Sequence, residues 1–471
     1  MNKLFDMRSN SIKNEQDNLS SQNTKKLLCI SHVFPPKINP LTNRVKKLLE
    51  QFQHHWQVIA LTSTENGFLN QETNVQIVKD LYPVKLINLL HKFKLSKFTN
   101  FFIWPDKAIF WILPAILKGY QLIKEHKPDV IFVFMMPYSS SLVGIVLKWL
   151  TGIPLVLSLD DSISCTDMHP TVSDWLHHHL ELYLEKFYVQ QANKIIYVSQ
   201  FNLELAKNNQ HPSQYSKFHL IRCGADILDF LSPVEESTSR ETFEIVYTGG
   251  MNGWYWFNDS TEKLSLIKKI YRTWMNLGRY ERAKIDYRTS SPVFVGQAVQ
   301  QLITQDPNLK DRIHLKIYGN RCENSIVQEV LRSQGLSNIV SVFDPLPHSE
   351  VVKLSNQADL LFITLPDRPD GSEGGRISCK TYEYLTTDRP ILAAVPKGEN
   401  WDYLLDKLGT WLVEPTDIES MSKVLNFVIS AKFSGSPLRY DRTNLQKELS
   451  YEYLAQDYLR IFDQLCKKIP D

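Results

Sequence analysis

The chain carries little that would mark it for a specialised environment. Its six cysteines, Cys29, Cys165, Cys223, Cys322, Cys379 and Cys466, are scattered, and no two stand as C-x-x-C. That argues against a disulfide scaffold or a structural zinc site and predicts a reducing compartment. Neither sign of charge is in excess. With a formal net charge of +2 there is no global field for nucleic acid or an acidic partner. No apolar run reaches the roughly 20 uncharged residues that cross a bilayer; the nearest, Phe101–Leu117, is interrupted by Asp106 and Lys107. Residues 1–24 have no apolar signal-peptide core and are rich in Asn, Ser and Gln, which predicts a disordered tail.

What is present is an ordinary globular composition, 43% hydrophobic and 22% charged, in 471 residues. One core does not serve a chain of that length, so two domains are expected. Lys25–Ser31 reads as a buried strand ended by Pro35 and Pro36, followed by a helix bearing Val45, Leu48, Leu49 and Phe52 and a second strand at 56–62. This βαβ beginning predicts a parallel sheet. Further strands are expected at 129–136, 154–159, 194–199 and 219–222, with helices between them. Asp160 and Asp161 end one of these strands, where a carboxylate either faces the ligand crevice of an open α/β sheet or caps the next segment. His177, His178 and His179 fall on one helix, point in different directions and so cannot grip one metal; they read as surface histidines.

Residues 64–105 are less regular. Lys85, Lys92, Lys94 and Lys97 interleave with Leu89, Leu90, Phe93, Leu95, Phe98 and Trp104. Such a stretch either lies on an anionic membrane surface or forms a lysine-bearing helix with one core face.

The polar stretch 233–242 suits a linker between a domain at 25–232 and a second at 243–445. The second begins with a strand at 243–248 running into Gly249-Gly250, where glycines allow close backbone approach to a ligand. Residues 251–291 form an aromatic, charged insertion of unassigned role. Strands at 313–319, 340–343, 358–366, 390–396 and 411–413 then alternate with helices, and a long helix closes the chain within 446–471. The segment Asp370–Leu385 sits between two of these strands as a glycine-rich loop and helix start. Helix-start N–H groups there can hold an anion, Arg376 and Lys380 add positive charge, and Glu383 can accept hydrogen bonds from hydroxyls. The alternative is an ordinary loop and helix cap, because isolated glycine-rich loops are weak signals.

Taken in order, these features resemble the GT-B glycosyltransferases, specifically the glycosyltransferase family 4 type. Phe34-Pro35-Pro36 is similar to the family's acceptor-side loop, Trp104-Pro105-Asp106 to its PD…W segment, and Pro137-Tyr138-Ser139-Ser140 with Gly152-Ile153-Pro154 and Asp160-Asp161 to its PP-x-S…G-x-P…RD pattern. Cys223-Gly224-Ala225-Asp226 resembles its NG-x-D turn and Ser378–Leu385 its PSK-x-x-EYL helix start. Three positions depart from the pattern. Asn39-Pro40 stands where Gly-Gly is common, Met251–Trp254 where an Arg and a Lys are, and Gly375 at the first glutamate of E-x7-E, with Glu373 two residues earlier.

The resemblance implies an α/β protein of two tandem Rossmann-like domains with an interdomain cleft and a C-terminal crossing helix. It implies transfer of a sugar from a nucleotide-diphosphate donor to a glycan or lipid-linked acceptor, in polysaccharide or glycoconjugate synthesis, with retention and without a metal or other cofactor. Donor contacts would fall to Gly249, Gly250, Leu346, Glu373, Gly375, Arg376, Lys380 and Glu383; acceptor contacts to Pro36, Asn39 and Ser139; and Asp161 would stand near the reacting sugar. The setting expected is cytoplasmic, at most peripheral to a membrane through residues 85–104, without nucleic acid. Two other functions fit the same architecture: a non-catalytic subunit that binds a partner or glycan, and a sugar-nucleotide epimerase.

Overall fold

A computed structural model describes the chain apart from residues 1–24, 35–39, 64–73, 94, 96–98, 100–102, 164, 168, 228–240, 252, 258–265 and 467–471. The expected tail and most of the expected linker lie outside the described residues. The first sheet is built from β1 (Lys26–Ile30), β2 (Gln57–Thr62), β3 (Asn74–Ile77), β4 (Val130–Phe134), β5 (Leu155–Leu159), β7 (Lys194–Tyr197) and β8 (Phe218–Leu220); β6 (Thr171–Val172) stands apart. Its order is β3-β2-β1-β4-β5-β7-β8 and every pairing is parallel. Parallel strands covered by helices on both faces need apolar side chains on both, and β4, Val-Ile-Phe-Val-Phe, is buried throughout.

The second sheet contains β9 (Phe243–Thr248), β11 (Ile313–Tyr318), β12 (Val340–Phe343), β13 (Leu360–Thr364), β14 (Ile391–Ala394) and β15 (Thr410–Val413), in the order β12-β11-β9-β13-β14-β15 and again all parallel. β10 (Tyr280–Glu281) leaves this body and pairs antiparallel with β6 of the first.

The helix Tyr451–Cys466 crosses back onto the first body. Tyr458 and Phe462 pack with Phe52 of the helix Pro40–Gln53 and with Phe132 of β4; the Phe52–Phe462 ring centroids are 5.4 Å apart and those of Phe132 and Tyr458 5.7 Å. Edge-to-face pairs of this kind contribute about 0.5–1.5 kcal/mol each beyond area burial, so the closing helix is part of the N-terminal core.

The histidine run differs from its expected exposure. His177 is buried and its Nδ1 lies 2.9 Å from Asp174, the N-cap of its helix Trp175–Gln191. His178 is half-buried and stacks on Tyr280 of β10 with centroids 4.5 Å apart; only His179 is exposed. A chain segment from the other domain covers this helix, which its own periodicity could not announce.

Candidate functional site: a cavity between two sheets

The carboxyl ends of both sheets face one another, the place where open α/β sheets hold ligands. Between them lies a cavity of about 650 Å³. The first body lines it with His32 after β1, Asp106, Asp160 and Asp161 after β5, and Ser199 after β7; the second lines it with His348, Gly375, Arg376, Cys379, Tyr382 and Glu383.

On the first side, Arg44 is buried, pairs with Asp160 and donates from Nη2 to the Tyr458 hydroxyl at 2.5 Å. The crossing helix thereby positions a guanidinium in the cavity wall. Burial raises the pKa of Asp161; Arg376 from the opposite body opposes the rise, Asp167 adds to it and Arg44 opposes it. Arg376 thus brings positive charge from the opposite body to the same cavity as Asp161. Asp106 accepts the backbone N–H of Ala108 and of Ser139, each at 2.9 Å, and burial raises its pKa against those bonds. Ser139 itself is fully buried and does not line the cavity; it acts through its backbone on Asp106. A helix start turned its amide, not its hydroxyl, toward the site. Pro36 and Asn39 lie outside the described residues.

On the second side, the loop before the helix Cys379–Leu385 differs from a free anion cradle. The Gly375 N–H donates to Asp167 of the first body at 2.9 Å, and the Ser378 N–H donates to Asn400 Oδ1 at 3.2 Å. Carboxylate and amide oxygens of the protein already occupy these donors. Positive charge in the cavity comes from the Arg376 side chain instead, with Glu383 half-buried beside it. Cys379 is exposed where it opens onto the cavity. Removal from bulk water raises its thiol pKa and Glu383 raises it further, while Lys380 and Arg376 pull it down.

Lys380 forms a second group with the glycines rather than lining the cavity. Its Nζ lies 4.8 Å from the Tyr247 ring centroid, and its chain covers Gly249, where a Cβ would come within 2.6 Å of Lys380 Cε. Gly249 adopts φ +114°, a region glycine favours, and a Cβ on Gly250 would meet open space. Tyr384 locks this group, accepting the Thr248 N–H at 2.9 Å. Leu346 packs half-buried against the C-terminal core, and it is His348, two residues on, that lines the cavity. Glu373 is exposed and faces a different hollow, of about 450 Å³, with Arg222 and Tyr403. Its placement two residues before Gly375 carries it to the outer side of the loop.

Three ties between the bodies have no signal in the sequence. Asp167 binds Arg368 at 2.6 Å as well as Gly375. Glu399 accepts from the Gln200 N–H at 2.6 Å, the Phe201 N–H at 3.1 Å, the Ser199 hydroxyl and Arg222 at 2.6 Å. Arg282, from the insertion, donates to Glu181 and to His178 Nδ1 at 2.8 Å each and to the Ile163 carbonyl at 3.2 Å. The aromatic insertion is therefore a bridge to the first domain. No periodicity or motif marks Asp167, Glu399 or Arg282, because each acts on a residue at least 100 positions away. Among the described residues no group of three or more His, Cys, Asp or Glu side chains is placed to hold a metal.

No curated protein matches the chain in sequence. Its coordinates resemble those of HepE from Anabaena, solved with UDP-glucose (TM-score 0.56, 14% identity, 93% of this chain and 99% of that one). They also resemble sucrose-phosphate synthase from Thermosynechococcus elongatus (0.59, 14%, 94% and 99%) and a glycosyltransferase from Rickettsia africae (0.58, 12%, 95% and 100%). At such identities the likeness is one of fold. Residues 41–227 match the model of Glycosyltransferase Family 4. The chain therefore has the GT-B fold of these structures, and its residues 41–227 are similar to Glycosyltransferase Family 4.

Proposed function

We propose that the protein transfers a glycosyl group from a nucleotide-diphosphate sugar to a glycan or lipid-linked acceptor, without a metal, in polysaccharide or glycoconjugate synthesis. The observation that carries this reading is the meeting of Arg376 and Glu383 with Asp161 across one interdomain cavity. Cleavage of the sugar–diphosphate bond develops negative charge on the leaving phosphate and oxocarbenium character on the sugar. Arg376 stabilises the first, assisted by Lys380 where the donor passes Gly249 and Gly250. Glu383 accepts hydrogen bonds from ribose hydroxyls. Asp161, whose proton affinity burial raises, faces the sugar and accepts the acceptor's proton or stabilises the cationic sugar.

The acceptor approaches from the first domain. There the helix Val84–Lys92 buries Ile87 and exposes Val84, Leu86 and Leu89, and Leu81 and Phe93 flank it exposed. Lys85 and Lys92 stand exposed on the same helix; Lys94 and Lys97 lie outside the described residues. Among the described residues no helix is long and apolar enough to cross a membrane. Apolar side chains interleaved with lysine support a peripheral, cytoplasmic-face contact with anionic lipid.

Incubation with a panel of UDP-, GDP- and TDP-sugars tests the activity through nucleotide release and thermal stabilisation. Silence toward every donor would sink the proposal. Co-sedimentation with anionic vesicles no better than with neutral ones would remove the membrane contact.

A further inference from the structure

Arg376 borders a second, smaller space. Besides the 650 Å³ cavity it lines this one, of about 30 Å³, together with Arg368, Lys397, Tyr287, Asn400 and Asp167. A polar hollow needs about 10–15 Å³ to hold a water, so this one has room for a small polar group. Asn400 is 3% exposed. Its orientation is fixed: Oδ1 accepts from the Ser378 N–H at 3.2 Å and from the Thr381 hydroxyl at 2.8 Å. The amide nitrogen is thereby turned the other way. Among the described residues it meets no acceptor, although it is buried. An orphan buried donor costs about 1–3 kcal/mol, and its remedy is an acceptor in the adjoining hollow. Three cationic side chains, Arg368, Arg376 and Lys397, are among its lining residues. The one carboxylate, Asp167, is engaged by Arg368 at 2.6 Å and by the Gly375 N–H at 2.9 Å. Lys397 stands at the rim, 61% exposed, with its Nζ 4.0 Å from Glu414 Oε1 and 3.4 Å from the Trp401 ring centroid.

We propose that this hollow is an anion subsite beside the reaction cavity, which receives the carboxylate or phosphate group of an acidic sugar. Arg376 joins the two spaces, so an anionic sugar held between Asp161 and Glu383 places its acidic group against Arg376 and the Asn400 amide. The ligand class is a uronate or sugar phosphate, entering either as the donor's sugar or as the acceptor. The acidic sugar's role in transfer rests on the function proposed above; the anion site does not.

The test uses the full chain and two variants. Asn400→Asp keeps the oxygen that serves Ser378 and Thr381 and replaces the orphan donor with a repelling oxygen. Lys397→Gln changes an exposed rim residue and leaves folding intact if the first variant fails to fold. Binding of UDP, UDP-glucose, UDP-glucuronate, glucose, glucuronate and inorganic phosphate is measured by calorimetry. Wild type is expected to bind glucuronate and phosphate, glucose being at least tenfold weaker. Asn400→Asp abolishes that preference, Lys397→Gln reduces it several-fold, and UDP binds all three proteins alike. A preference for UDP-glucuronate over UDP-glucose assigns the acid to the donor; glucuronate binding that persists with UDP bound assigns it to the acceptor. Equal binding of acidic and neutral sugars, or a preference that survives both variants, overturns the subsite. Anion binding without any UDP binding would instead overturn the transferase reading and leave the subsite standing.

Discussion

The carboxylate of Glu399, on the second domain, receives the Gln200 N–H of the first domain at 2.6 Å. It sits at the start of the helix Gln200–Asn208, where the amides have no intrahelical partner, and takes the Phe201 N–H and Ser199 hydroxyl as well. From the other domain this side chain thus supplements the local cap, Ser199, whose hydroxyl accepts the Asn202 N–H at 3.0 Å. It also neutralises Arg222 at 2.6 Å while only 8% exposed.

Glu399→Ala should therefore cost about 2–4 kcal/mol, because it strands a half-buried guanidinium and three donors. Urea unfolding of the variant measures this. A loss below about 0.5 kcal/mol would show that the tie contributes nothing.

Arg282→Ala removes two 2.8 Å bonds at once, to Glu181 and His178, and exposes the end of the β6–β10 pairing. Arg282 is almost wholly enclosed, its side chain 3% exposed. The expected result is a loss of about 2–3 kcal/mol, with faster proteolysis of the 251–291 insertion and a larger radius of gyration in solution scattering. An unchanged radius and digestion pattern would show that the insertion does not hold the domains together.

Gly249 and Gly250 should respond unequally. Gly249→Ala places a Cβ at φ +114° and 2.6 Å from Lys380 Cε, so Lys380 must move. Gly250→Ala meets open space. Nucleotide-sugar affinity should fall at least tenfold in the first, about 1.4 kcal/mol, and little in the second. Equal effects would separate Lys380 from donor binding.

His219 should give the fold an acid weakness. Burial first, and Lys194 next, push its pKa down to about 4 from an ordinary 6.5, and its Nε2 is buried without a partner among the described residues. The native state therefore binds this proton less readily than the unfolded chain. Its stabilising contribution is whole above pH 6.5 and is lost as pH falls toward 4. Denaturant midpoints at pH 7, 5 and 4 should fall less steeply in His219→Gln than in wild type. Parallel curves would exclude His219 as the source.

Much of the fold was legible because it is local. The strands Lys26–Ile30, Val130–Phe134 and Leu360–Thr364 carry apolar runs that only a sheet covered on both faces accommodates, and alternation with helices made the sheets parallel. β3, β6 and β10 were not legible: they are short, and β6 with β10 exists only because one domain meets the other. Of the site, Asp161, Arg376 and Glu383 were marked by strand ends and helix spacing and Gly375 by the family resemblance alone; all four line one cavity. Glu373, Ser139 and Leu346 could not be placed from spacing, since one residue of register decides which side of a loop a chain atom faces.

By itself the sequence determined two parallel α/β bodies, the helix that closes them and the residue types that gather at their strand ends, all of which follow from side-chain periodicity along a few turns or strands. Only the tertiary structure decided that Asp167 would take the Gly375 amide, that Glu399 would cap a helix 199 residues away, and that Arg282 would fasten the insertion to His178. Those are charge and hydrogen-bond matches between distant segments. Each becomes favourable only after two cores have folded and brought the partners together in a site with little water.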